Sequence, residues 1–238
     1  MRFGLLLGTN GAPAFTPAEL NLTSWVREYP GTLPWDGIAS AGSSGGGAHD
    51  WTTGTAPSAG AVLNGHDIAS FNGTTQSAAA ETSADAYLST SAYTIVLLVK
   101  PTAPGVTSGT DINDPPLIGD TAGNFGITYT TSGVKLVQYD GAYKVTGGAS
   151  ITADVYSMVA ATFNGSTLSI AVNQGTAQTA SSGNLATPNL ITLQMGKNYS
   201  TARPTMLMAE VMTAQSVLSS SSLNNIKTYF NTRYALSL

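Results

Sequence analysis

The chain has 238 residues, a formal net charge of -4, and charged residues at only 9% of positions; about 25% is usual for a soluble domain, so Ser, Thr, Asn, Gly and Ala must cover much of the surface. Nine Lys and Arg are scattered without a basic stripe, and there are no cysteines, which excludes a nucleic-acid interface, disulfides and thiolate metal sites. No stretch reaches the roughly 20 apolar residues of a membrane span, and the apolar run 3–7 is shorter than the roughly 7–15 residues of a signal-peptide core, so no membrane partner is expected.

Residues 1–60 read as an irregular N-terminal arm with loops packed on the domain. Pro13, Pro17, Pro30 and Pro34 interrupt it, and Leu20, Leu22, Trp25 and Val26 supply apolar anchors. Its stretch 41–48 is Gly-rich, but no Lys or helical pattern follows, so it is not a phosphate loop. Residues 61–238 read as one β domain. A strand at 67–71 leads through Asn72-Gly73 into 76–80. The segment 93–100 is almost continuously apolar and β-branched, as a strand buried on both faces should be. A Gly/Pro/Asp loop, 102–116, follows. Further strands are expected at 117–119, 125–130, 134–139 and 142–145. Strands 156–163 and 167–172 flank Asn164-Gly165, a two-residue turn in which both residues tolerate positive φ. Strands 176–180, 190–195 and 206–213 complete the set. Leu223, Ile226, Phe230 and Tyr234 then recur at helical spacing behind a serine cluster, predicting a helix over 220–234 whose apolar stripe lies on the strands. Many short strands separated by turns, with no βαβ alternation, give an all-β antiparallel β-sandwich or jelly roll with one C-terminal α-helix.

The block Tyr156-Ser-Met-Val-Ala-Ala-Thr-Phe-Asn-Gly-Ser-Thr-Leu-Ser-Ile-Ala-Val-Asn-Gln-Gly175 resembles the central hairpin of concanavalin A-like, laminin G-like jelly rolls. The resemblance extends to Ala69-Ser-Phe-Asn-Gly-Thr74, Leu193-Gln-Met-Gly196, Met208-Ala-Glu-Val211, Val217-Leu-Ser219 and Tyr229-Phe-Asn-Thr-Arg-Tyr-Ala-Leu236, and covers roughly residues 60–236. It implies an antiparallel jelly-roll β-sandwich. Loop phrases such as Trp35-Asp-Gly-Ile-Ala-Ser-Ala-Gly42 and Gln138-Tyr-Asp-Gly-Ala-Tyr143 resemble a subgroup found in phage and prophage structural proteins.

A retaining glycosidase on such a fold would carry paired Glu residues in an E-x-D-x-x-E strand. That pattern is absent, and Glu19, Glu28, Glu81 and Glu210 are isolated, so no enzyme is expected and no catalytic residue is assigned. The resemblance implies a structural role for Glu210, accepting hydrogen bonds from nearby backbone. His49 and His66 read as surface loop residues, since two His without Cys or HExxH spacing make no zinc site. The resemblance also raises Ca²⁺ binding through loop carboxylates, with Asp111, Asp114 and Asp120 as the candidates; apart from this ion no cofactor is expected. For carbohydrate, exposed aromatic rings would stack on pyranose faces while polar neighbours take the hydroxyls. The candidates are Tyr139, Asp140, Tyr143, Tyr199 and Trp51, with Trp35 beside them in the N-terminal loops.

Two functions from different classes follow. The resemblance to phage proteins, with the low charge, implies a virion structural or accessory protein, decorating a capsid or attached to a tail. Its partners would be other virion proteins, or further copies in a symmetric assembly. The alternative is a lectin-like carbohydrate-binding module that adheres to host surface glycans. A glycoside hydrolase ranks below both.

Overall fold

The computed structural model describes residues 15–36, 49–82, 84–103, 114–186, 192–197 and 203–238. Its strands, in chain order, are β1 (Ser24–Arg27), β2 (Trp51–Thr53), β3 (Ser58–Leu63), β4 (His66–Asn72), β5 (Ala78–Ala80), β6 (Tyr93–Ala103), β7 (Pro116–Asp120) and β8 (Phe125–Thr130). They continue with β9 (Gly133–Tyr139), β10 (Tyr143–Val145), β11 (Ser157–Phe163), β12 (Thr167–Val172), β13 (Gln178–Ser181), β14 (Leu193–Met195) and β15 (Thr205–Ala214). One helix, α1 (Ser220–Tyr234), closes the chain.

Among the described residues the strands form two antiparallel sheets. The first runs β13-β12-β11-β6-β15-β4-β3, with β1 also on β15; the second runs β10-β9-β8-β7-β14-β5-β2. The all-β sandwich with a C-terminal helix expected from strand patterning is therefore what the chain forms. The central strand of the first sheet, β6, shows why its sequence is apolar throughout. Ile95, Leu97 and Val99 face the second sheet, packing with Phe125, Ile127, Leu136 and Met195. Val96 and Leu98 face the other way, under α1. Both sides of β6 are dry, so alternation disappears.

Helix α1 begins where the Ser219 hydroxyl accepts the Ser222 N–H at 3.1 Å, satisfying one of the first-turn donors. Leu223, Ile226, Phe230 and Tyr234 lie on one face and are buried against Leu22, Trp25, Met158 and Met212. Each such side chain contributes about 1.5–3 kcal/mol by leaving water. The helix ends at Ala235, in the left-handed conformation at φ 52°.

Two expectations need correction. Residues 15–36 and 49–60 are not an irregular arm. Ser24–Arg27 is a strand of the first sheet, Trp51–Thr53 a strand of the second, and Leu22, Trp25, Val26, Tyr29, Trp35 and Trp51 are all core. The aromatic anchors pull the segment into both layers, and Trp35 and Trp51 exchange backbone hydrogen bonds with each other at 2.8 and 3.1 Å. The Asn164-Gly165 hairpin exists, but not as a two-residue turn of positive φ. Only Gly165 is left-handed, at φ 92°. Asn164 uses its side chain instead, its Oδ1 accepting the N–H groups of Ser166 and Thr167 at 3.1 and 2.9 Å.

Candidate functional site

The β9–β10 hairpin gathers three of the candidate residues. Tyr139 and Tyr143 are direct cross-strand partners, so their side chains share one face. Their ring centroids are 5.2 Å apart at 60°, an edge-to-face pair. Tyr143 is 49% exposed and Tyr139 half-buried, so together they form an aromatic ledge at the end of the second sheet. Gly141, at φ 112°, permits the sharp reversal between them.

The ledge is anchored from below and from the side. Gln138, adjacent in the strand, points the opposite way and is wholly buried. Its Oε1 accepts the Tyr93 hydroxyl at 2.8 Å, while its Nε2 donates to Ser182 Oγ at 3.0 Å and to the Gly183 carbonyl at 2.7 Å. Asp140 bridges the hairpin to the same segment. Its Oδ2 accepts the Gly183 N–H at 2.6 Å, and its Oδ1 accepts the Ala142 N–H at 3.2 Å. The Gly183 bond is the main cause that holds the Asp140 carboxyl below its ordinary pKa, with Ala142, the nearby Lys144 ammonium and Ser182 adding to it. Lys144 Nζ lies 3.9 Å from Oδ1 and is 38% exposed. Both oxygens of Asp140 are thus occupied by the protein's own donors. Its role is to fix the ledge; Lys144, the cross-strand partner of Gln138, lies on the face of the hairpin opposite the rings.

The other candidates lie elsewhere. Trp51 is wholly buried, edge-on to Tyr87 at 5.6 Å, so its faces are not open to a surface ligand; this corrects its assignment to a sugar site. Tyr199 and Asp111 fall outside the described residues. Asp114 is buried. Asp120 is buried too, and accepts the N–H groups of Asn124 and Phe125 at 3.0 and 3.1 Å, closing the β7–β8 turn. Burial raises its pKa against the pull of these backbone donors. Among the described residues no three His, Asp or Glu side chains converge.

Glu210 lies far from the ledge, in a buried cluster under α1. A bulge between Met208 and Glu210 turns its side chain to the helix side of β15. There it accepts from Trp25 Nε1 at 2.7 Å, the Tyr229 hydroxyl at 2.9 Å and the Tyr234 hydroxyl at 2.7 Å. Burial pushes its pKa up, and these donors and Arg233 oppose the rise. The donors are side chains, not the backbone expected, but the role is structural: the carboxylate ties α1 to β1 and β15. His66 and Glu28 extend the cluster through Arg233, and His49 pairs with Glu81 at 2.8 Å.

No curated protein matches the chain in sequence. Solved structures with the same fold include the binding domain of Paraclostridial Mosquitocidal Protein 1, with TM-score 0.65, 11% identity, and coverage of 90% of this chain and 53% of that one. Domain 4 of AbnA, an extracellular arabinanase of family GH43 from Geobacillus stearothermophilus solved with arabinotriose, gives TM-score 0.62 at 17% identity, covering 88% of this chain and 99% of that domain. Trypanosoma rangeli sialidase gives 0.61 at 18%, covering 95% of this chain and 34% of the enzyme. The chain thus spans about half of the toxin binding domain and a third of the sialidase, but the whole of the arabinanase domain. The family profile described as the concanavalin A-like lectin/glucanases superfamily, laminin G type, matches residues 72–224, more than half of the chain. The chain belongs to the concanavalin A-like lectin/glucanases superfamily.

Proposed function

We propose that this chain is a non-catalytic glycan-binding module whose contact surface is the Tyr139–Tyr143 ledge. The observation that carries the reading is the pair of cross-strand tyrosines, one of them half exposed, on a turn braced by Asp140 and Gln138. A rigid aromatic surface costs little entropy to use, and it stacks on the apolar face of a sugar ring. The arabinanase domain, which superposes over its full length and was solved with arabinotriose, supports this reading. The non-catalytic part is supported by the glutamates. Glu19 caps a 3-10 turn at Thr16, Glu28 and Glu81 pair with histidines, and Glu210 is enclosed, so each is committed to a partner of its own. A glycan array with wild type, Tyr139→Ala and Tyr143→Ala tests the proposal. Binding by wild type and its loss in both variants is expected; no binding to any glycan would exclude it.

A second reading places this module on a virion, as a capsid-decorating or tail-attached accessory protein. The charged fraction of 9% favours it, since copies with so little charge repel one another weakly. Mass spectrometry of purified particles tests it, and absence from intact virions would rule it out.

A further inference from the structure

Helix α1 covers only part of the outer face of the first sheet. It lies over Val96, Leu98, Met158 and Met212, on β6, β11 and β15. Beyond its N-terminal end the outer faces of β11 and β12 carry small residues in register, Ala160 opposite Ala171 and Thr162 opposite Ser169. A cavity of about 410 Å³ opens there, walled by Ser220, Leu223 and Asn224 of the helix and by the β12–β13 turn at Gln174. No charged side chain lines it. Its polar groups are the hydroxyls of Thr162, Ser169 and Ser220 and the carboxamides of Gln174 and Asn224; methyl groups make up the rest.

The turn itself is unusual. Gly175 N–H returns to the Val172 carbonyl at 2.8 Å, and both central residues are left-handed, Asn173 at φ 52° and Gln174 at φ 59°. Such a turn strongly prefers Asn followed by Gly. Asn173 fits that preference and works within the fold: its Oδ1 accepts the Met158 N–H at 2.8 Å, and its carbonyl accepts Lys227 Nζ at 2.9 Å. Gln174 stands where Gly would be less strained, and its Nε2 is shielded from water with no hydrogen-bond partner. A residue that is strained and carries an orphaned donor calls for a role outside the fold.

We infer that this cavity is a binding site for a small neutral hydroxyl-bearing ligand, a monosaccharide or disaccharide, with Gln174 as its specificity residue. The terminal torsion of Gln is soft, so the amide turns to donate to a ligand oxygen. The hydroxyls of Thr162, Ser169 and Ser220 exchange hydrogen bonds with ligand hydroxyls, and the alanine and leucine carbons meet its apolar face. The lack of charge disfavours an anionic sugar. The site lies on the outer face of the first sheet, whereas the tyrosine ledge is on the second, so the inference does not depend on the ledge.

The test uses the full chain, labelled with ¹⁵N and titrated with D-glucose, N-acetylglucosamine and, as the anionic contrast, D-glucuronate. Either neutral sugar should move the Gln174 side-chain amide signals and the Ser220 and Asn224 backbone signals, with glucuronate much weaker. Gln174→Gly removes the amide and suits the turn, so its Tm should equal or exceed that of wild type while affinity drops about tenfold, the worth of one hydrogen bond. Tyr143→Ala should leave these shifts unchanged, so failure of the ledge and failure of this site read out separately. The inference is overturned if neither neutral sugar perturbs these positions, if Gln174→Gly binds as well as wild type, or if that variant lowers Tm, which would make the side chain part of the fold.

Discussion

Replacing Glu210 by Ala removes the acceptor shared by Trp25, Tyr229 and Tyr234, in a place with no access to water. The half-buried Tyr229 hydroxyl is the donor nearest to water. The Trp25 indole, 2% exposed, and the Tyr234 hydroxyl, on a residue 1% exposed, are left without their acceptor. Arg233 also loses a carboxylate, its Nε lying 3.4 Å from Oε1, and keeps only Glu28. An unsatisfied buried donor costs about 1–3 kcal/mol, and removing one partner of a buried charge pair about 3–5 kcal/mol. These costs overlap because one carboxylate serves all four groups, so the sum is about 3–5 kcal/mol and not larger. Native domains hold only about 5–15 kcal/mol in total, so the loss should be plain in urea denaturation at unchanged m-value. Glu210→Gln keeps one acceptor and should cost less. Adding Trp25→Phe to Glu210→Ala should cost less than the two single changes together, because the stranded indole donor is gone. A loss below about 1 kcal/mol for Glu210→Ala would refute the reasoning.

Three further outcomes are expected. Ala235→Gly should raise stability by about 0.5–1 kcal/mol in thermal melts, because Ala235 ends α1 at φ 52°, where Gly has no Cβ penalty. Gly133→Ala should lower it by about 2–4 kcal/mol, since a Cβ there would stand 2.3 Å from the Ala149 carbonyl oxygen at φ 110°. The Gly183 amide proton, bound to Asp140, should titrate in NMR with a midpoint below the ordinary aspartate value of about 3.9. The Asp140 carboxyl is held low in the fold, so its tie to Gly183 persists above that ordinary value and is lost only as pH falls through the lower one; a midpoint above it would contradict the assignment.

The layers were legible wherever burial leaves a local trace. The segment 93–100 reads as a central strand because both its faces are dry, and α1 reads as a helix because Leu223, Ile226, Phe230 and Tyr234 keep one period. β1 and β2 leave no such trace. Trp25 and Val26 become a strand only by pairing with Met212 and Val211 of β15, far along the chain. Trp51 is likewise settled by its bridge to Trp35, which no spacing announces. At the ledge, Tyr139 and Tyr143 could be read because a short turn between them makes them cross-strand partners. What holds the ledge could not. Gln138 meets Tyr93 and Ser182, and Asp140 meets Gly183, through contacts over more than forty residues.

The central claim is that glycans are held on the β9–β10 hairpin. Chemical-shift mapping with the tightest-binding glycan of the array tests it most directly. The account predicts that the largest shifts fall on residues 139–144, with smaller ones at Ser182 and Gly183 behind them. Shifts concentrated on another face, or persisting at full size in Tyr143→Ala, would contradict it.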